Sequence, residues 1–179
     1  MTEREISRLV RELGALLLDR GETLALAESC TGGWVGQAIT GLPGSSGWFD
    51  AGFVTYSNDA KKRLLGVSPQ TLEEFGAVSA ETAVEMAAGA LERGRTDWSL
   101  AVTGIAGPTG GTATRPIGTV LFAWAGRNGL REAEAMRFGG DRRAVRMQSV
   151  AHALEGLLKR LRKAPQDYGR MQCRWHQFE

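Results

Sequence analysis

The chain has 179 residues, 42% hydrophobic and 23% charged, with a formal net charge of +2. That length fits one domain able to bury a core without disulfides, and the near balance of charge excludes the strongly basic face of a nucleic-acid-binding protein. No stretch has the length and apolarity of a membrane span or signal peptide, so a cytoplasmic protein without membrane contact is expected.

The two cysteines, Cys30 and Cys173, fit neither a disulfide nor a metal-ligand spacing, which points to a reducing compartment and to no metal site. Ile6, Leu9, Val10, Leu13, Leu16 and Leu17 recur at helical spacing and predict a helix over 3–20 that stops at Gly21. Thr23–Ala27 predicts a buried strand and Gly32–Thr40 a short helix, broken by the turn-rich Leu42-Pro43-Gly44-Ser45-Ser46-Gly47. Trp48–Tyr56 predicts a second strand, followed by a helix with Asn58 as N-cap and a stop at Gly66. Ser68-Pro69 and Ser79 mark two further helix starts, the second helix ending near Gly94. Asp97–Thr103 predicts a strand that feeds a glycine-rich loop, 104–112. Ile117–Ala125 and Leu130–Phe138 flank Gly126-Arg127-Asn128-Gly129 as a hairpin. Asp141 caps a long final helix that Pro165 ends.

Strands separated by helices, with one hairpin, predict an α/β fold: a three-layer α/β/α sandwich with a mixed sheet over residues 1–164. Residues 165–179 read as a C-terminal tail, either docked through Trp175 and Phe178 or frayed.

The stretch LALAESCTGGWV, Leu24 to Val35, puts Ser29 at the carboxyl end of a strand and the start of a helix, where open α/β sheets bind ligands. Amides of residues 30–33 suit an anion or an oxyanion there, although Ser and Thr are also ordinary N-caps. A serine nucleophile needs a base. The only histidines are His152, on the last helix, and His176, in the tail; neither lies near a strand end. Cys30 reads as a packing thiol.

Lysines number four against eighteen arginines. Lys61 falls in the first turn of its helix, where macrodipole and burial lower its pKa from about 10.4 and suit it to general-base work. Lys62, about 100° round the helix, reads as solvated. Placement of both lysines on the surface is the ordinary alternative. The 104–111 loop offers amides to a phosphate, yet lacks the Lys-Ser/Thr pair of a Walker A loop, and a structural turn reads equally well.

Several motifs occur in a fixed order: Ala27-Glu28-Ser29-Cys30-Thr31-Gly32-Gly33, Gly44-Ser45-Ser46, Val54-Thr55-Tyr56-Ser57-Asn58 with Ala60-Lys61, and Thr103-Gly104-Ile105-Ala106-Gly107-Pro108. Gly110-Gly111 and Gly140-Asp141-Arg142 with Val145-Arg146 follow. Together they closely resemble the C-terminal domain of the competence/damage-inducible protein CinA, over about residues 5–162. The resemblance implies an α/β/α fold. For the free-standing branch of that family it implies hydrolysis of the carboxamide of nicotinamide mononucleotide (NMN) to nicotinate mononucleotide and ammonia, with no cofactor.

By the same resemblance Ser29 is the nucleophile, Lys61 its base and Tyr56 a proton relay or orienting group, with Ser46 a second polar contributor near the site. Cys30, Thr31, Gly32 and Gly33 are then expected at the oxyanion. Thr103, Gly104, Ala106, Gly107 and Gly111, with Arg142 and Arg146, are expected at the phosphate and ribose. A homodimer is also implied; Trp48 and Phe49, if exposed, would serve it, though both read equally well as core. Arg115 stands where a lysine is common in relatives. The start of the chain at the amidase-like part favours the free-standing form. Rival readings are a non-catalytic binding module of the competence and DNA-damage response, and an amidase for another small amide.

Overall fold

The structure, a computed structural model, describes residues 2–165, so the tail expected to carry Trp175 and Phe178 lies outside the described residues. Helices are α1 (Glu3–Arg20), α2 (Trp34–Thr40), α3 (Asn58–Leu65), α4 (Pro69–Glu74), α5 (Ala80–Gly94) and α6 (Arg142–Lys163). Strands are β1 (Leu24–Glu28), β2 (Phe49–Val54), β3 (Trp98–Gly104), β4 (Thr119–Gly126) and β5 (Arg131–Arg137). They form one sheet in the order β2-β1-β3-β4-β5, with β1 parallel to both neighbours and the last two pairings antiparallel. Helices cover both faces, giving the mixed three-layer sandwich.

The inner strands alternate by size rather than by polarity. Leu24, Leu26, Leu100, Val102, Phe122 and Trp124 point to one face, against α1, α2 and α6. Ala25, Ala27, Ala101, Ala123 and Ala125 line the other face, where alanine-rich α5 packs closely. A strand buried on both faces reads as a continuous apolar run, as these do in the sequence.

The helix starts follow side-chain chemistry. Ser68 with Pro69, Ser79 and Asp141 cap α4, α5 and α6 as expected. Ser57, not Asn58, caps α3: its extended backbone lets Oγ accept from Ala60 N at 3.1 Å, and Asn58 becomes the first helical residue. Gly66 ends α3 with a left-handed φ of 71°.

One open choice is decided here and one expected placement fails. Trp48 is only 1% exposed and packs over Gly14 of α1, and Phe49 is half-buried, so this aromatic pair presents no exposed dimer surface. Ser46 lies in the 3-10 turn Ser45–Gly47, just before the amino end of β2, which pairs with the amino end of β1. Ser29 follows the other end of β1, about 16 Å away at roughly 3.3 Å per residue, so Ser46 of the same chain lies far from it.

Close packing also ties α3 to α5. A Cβ at Gly89 would strike the Leu65 carbonyl group, its carbon at 2.8 Å. Gly89→Ala gains about 1 kcal/mol of helix propensity. Overpacking against rigid backbone costs about 1–3 kcal/mol and outweighs that gain. The expected result is a lower melting temperature, by about 2–4 °C per kcal/mol lost, which thermal unfolding checks.

Candidate active site

Chain reversal creates the crevice. β1 is followed by β2 on one side of it, and β3 lies on the other, so the carboxyl end of β1 is the topological switch point. Strand register brings Glu28 beside Val54 and Val102, and the starts of β4 and α6 lie at the same end of the sheet. Residues distant in sequence, 28–33, 54–61, 103–119 and 137–146, thereby converge.

Pairing continues one step past β1, with Ser29 N donating to Val102 O at 2.9 Å and Thr55 N to Glu28 O at 2.8 Å. The chain then turns sharply through Gly32 (φ 60°) and Gly33 (φ 89°), a conformation that disfavours any residue with a Cβ. Ser29 is 8% exposed and its Oγ lies 3.1 Å from Lys61 Nζ. Lys61 is 1% exposed and donates to Thr55 O at 2.8 Å, with no carboxylate partner among the described residues. Burial therefore pulls its pKa below the ordinary 10.5. Lys62 instead faces solvent beside Asp59, 3.5 Å away.

The turn's amides are less available than the sequence suggests. Glu28, 2% exposed, accepts from Gly33 N (3.0 Å) and Val35 N (3.1 Å) on one carboxylate oxygen and Gly36 N (2.8 Å) on the other. Gly32 N donates to Ser29 O at 3.0 Å. Gly32 and Gly33 thus shape the turn instead of offering donors to an anion. The amides of Cys30 and Thr31 donate to no other residue among the described ones, the Cys30 amide lying against its own thiol, and they are the donors left at Ser29. Burial, with the nearby Glu28 charge, pushes the Cys30 thiol up to about 12, which keeps it protonated and unsuited to attack. The hydroxyls of Thr31 and Thr55 are buried without a partner, leaving polar capacity beside the pair.

Tyr56 is 62% exposed, and its hydroxyl accepts from Arg142 Nη2 at 3.0 Å; no hydrogen bond joins it to Ser29 or Lys61. Arg142 also donates to Gly107 O at 2.7 Å, so one guanidinium bridges the loop after β2 and the glycine loop. Arg146 donates to Thr31 O, within the 29–33 turn, at 2.6 Å and stacks 5.2 Å from the Trp34 ring centre. Thr103 directs its hydroxyl to Ala77 O at 2.8 Å, and Ala106 is core; their side chains are engaged inside the fold. Gly104 and Gly111 are glycine for a structural reason, since a Cβ would meet Thr119 O at 2.6 Å and Ile117 N at 2.8 Å. Arg115 ties the glycine loop to α4 through Phe75 O at 2.6 Å. His152 packs among Phe122, Trp124 and Phe138, away from Ser29.

Fold and site together define a doubly wound α/β domain with a buried serine–lysine pair at its switch point. The sequence matches the CinA C-terminal domain over residues 6–161. It is 50% identical over 157 residues to the nicotinamide-nucleotide amidohydrolase PncC of Escherichia coli (strain K12), spanning 88% of this chain and 95% of the relative. The CinA-like protein of Chlorobaculum tepidum is 53% identical over 152 residues, spanning 83% of this chain and 36% of that longer relative. The crystal structure of the competence/damage inducible protein CihA from Agrobacterium tumefaciens has a TM-score of 0.86 at 46% identity, over 89% of this chain and 96% of that one. The chain belongs to the CinA C-terminal domain family.

Proposed function

We propose that this protein hydrolyses the carboxamide of NMN to nicotinate mononucleotide and ammonia through an acyl-enzyme on Ser29. The observation that carries the proposal is Lys61 Nζ, buried and without a carboxylate partner among the described residues, 3.1 Å from Ser29 Oγ. The substrate assignment draws on the amidohydrolase relative, which is similar along almost its whole length.

Neutral Lys61 takes the hydroxyl proton as Ser29 Oγ bonds to the carboxamide carbon. The Cys30 and Thr31 amides receive the oxyanion. The lysinium returns its proton to nitrogen as the C–N bond breaks and ammonia leaves. Lys61 then deprotonates a water as its oxygen bonds to the acyl carbon, and the lysinium returns that proton to Ser29 Oγ as the ester C–O bond breaks. Arg142 binds the phosphate, and Tyr56 holds that guanidinium in place instead of relaying protons. The working form is a homodimer, as the family resemblance implies, and sedimentation of the purified protein tests it.

Ammonia release from NMN, nicotinamide riboside and nicotinamide tests the substrate. Release from NMN well above the other two is expected; equal release from nicotinamide riboside refutes phosphate recognition, and no release from NMN refutes the proposal. Arg142→Ala is expected to raise KM for NMN at least about tenfold, the loss of one charge-assisted contact, with a smaller change in kcat.

A further inference from the structure

Side chains on β1 alternate, so Glu28 points to the same face as Leu24 and Leu26, beneath α2. Its carboxylate is buried where an unpartnered charge is strongly disfavoured, and three backbone N–H groups compensate it. Helix α2 needs this, because Gly33 occupies the N-cap position and supplies no side-chain acceptor. The carboxylate packs directly against this turn of α2, where a Cβ built on Gly36 would be in van der Waals contact with it at 3.5 Å.

Glu28 and Ser29 are consecutive, and both backbones are locked into the sheet, Glu28 O to Thr55 N and Ser29 N to Val102 O. The carboxylate binds the far side of the same turn. Strand and helix thus clamp the segment 29–33 from its two ends.

We propose that Glu28 is a positioning residue of the reaction: by gathering the amides of Gly33, Val35 and Gly36, it fixes the turn that holds the Ser29 hydroxyl against Lys61. The inference rests on the serine–lysine reading of the site. Glutamine is nearly isosteric, but its NH2 group would face at least one backbone N–H in either orientation, so the turn must rearrange. Aspartate keeps both acceptors on a stem one carbon shorter, and cannot span all three amides while the strand register holds.

A serine-directed fluorophosphonate reports on this geometry without NMN. The Ser29 O–P bond forms, the P–F bond breaks, fluoride leaves and Lys61 takes the proton. Folded Glu28→Gln is expected to label Ser29 about 100-fold more slowly than the wild type, the scale of a misplacement of about 1 Å, with Glu28→Asp in between. In NMN turnover the loss falls on kcat, with KM little changed. In a Lys61→Met background, Glu28→Gln is expected to slow labelling no further, because the partner against which Ser29 is positioned has gone. Wild-type labelling rates in folded Glu28→Gln or Glu28→Asp overturn the proposal. So does a loss that multiplies with that of Lys61→Met, as a generally loosened fold would give. Wild-type protein that labels on Ser29 but releases no ammonia from NMN refutes the substrate reading alone.

Discussion

Lys61→Met is expected to lower kcat for NMN by about 10⁴-fold or more while raising the melting temperature. The loss follows from removing the only base near Ser29 Oγ among the described residues, and groups that act as a unit lose nearly everything together. The gain follows from burial, because a lysine stem capped by an ammonium gives way to an apolar chain of similar length in a site closed to solvent.

The pH dependence has a definite sign. The folded state holds Lys61 below 10.5, whereas the unfolded chain restores the ordinary value. Between those two values the unfolded state binds the extra proton, so stability rises with pH across that window; below the folded pKa the whole unfavourable contribution remains. In the proposed mechanism the neutral amine is the base, so kcat/KM of the wild type is expected to climb along a limb that lies below the ordinary lysine range. Both dependences vanish in Lys61→Met. Calorimetry and a rate profile taken over the same pH range check them, and a variant that melts lower than the wild type contradicts the burial argument.

Ser29→Ala is expected to cut kcat by a similar or larger factor, about 10⁴–10⁶-fold, with little change in melting temperature. The hydroxyl is small, and its one hydrogen-bond partner, Lys61, retains Thr55 O. Acid quenching during turnover should trap an ester on the peptide containing Ser29 in the wild type and none in the variant. If the wild type turns over yet Ser29→Ala keeps even a tenth of its rate, the nucleophile lies elsewhere.

Much of this architecture is legible in the amino-acid sequence because its signals are local. Ser68-Pro69, Ser79 and Asp141 announce helices through their own side chains, and Gly66 stops one through its backbone. The serine–lysine pair is legible through the family resemblance, with the scarcity of histidines in agreement; residue by residue, a capping serine and two solvated lysines read as well. What stayed hidden depends on partners far along the chain. Glu28 reads as one letter of a motif; the available signal was a helix start of two glycines, which must find its acceptor elsewhere. Tyr56 and Arg142 are 86 positions apart, and only the fold makes them neighbours. Ser46 misleads for the converse reason. It precedes β2, while the site lies past the far end of that strand.

The segregation of the sheet's two ends has a practical consequence for handling this molecule. Helix α1 begins beside the turn that follows Ser29: Glu3 pairs with Arg143 at 3.1 Å, and both border a 250 Å³ hollow with Gly32 and Gly33. An affinity tag or fluorescent protein fused ahead of Glu3 would sit against that hollow. The β4–β5 turn, with Arg127, Asn128 and Gly129 all exposed, lies at the opposite pole. Foreign peptide spliced between Asn128 and Gly129 would hang from the quiet end, making that turn the better handle for immobilisation or reporter insertion.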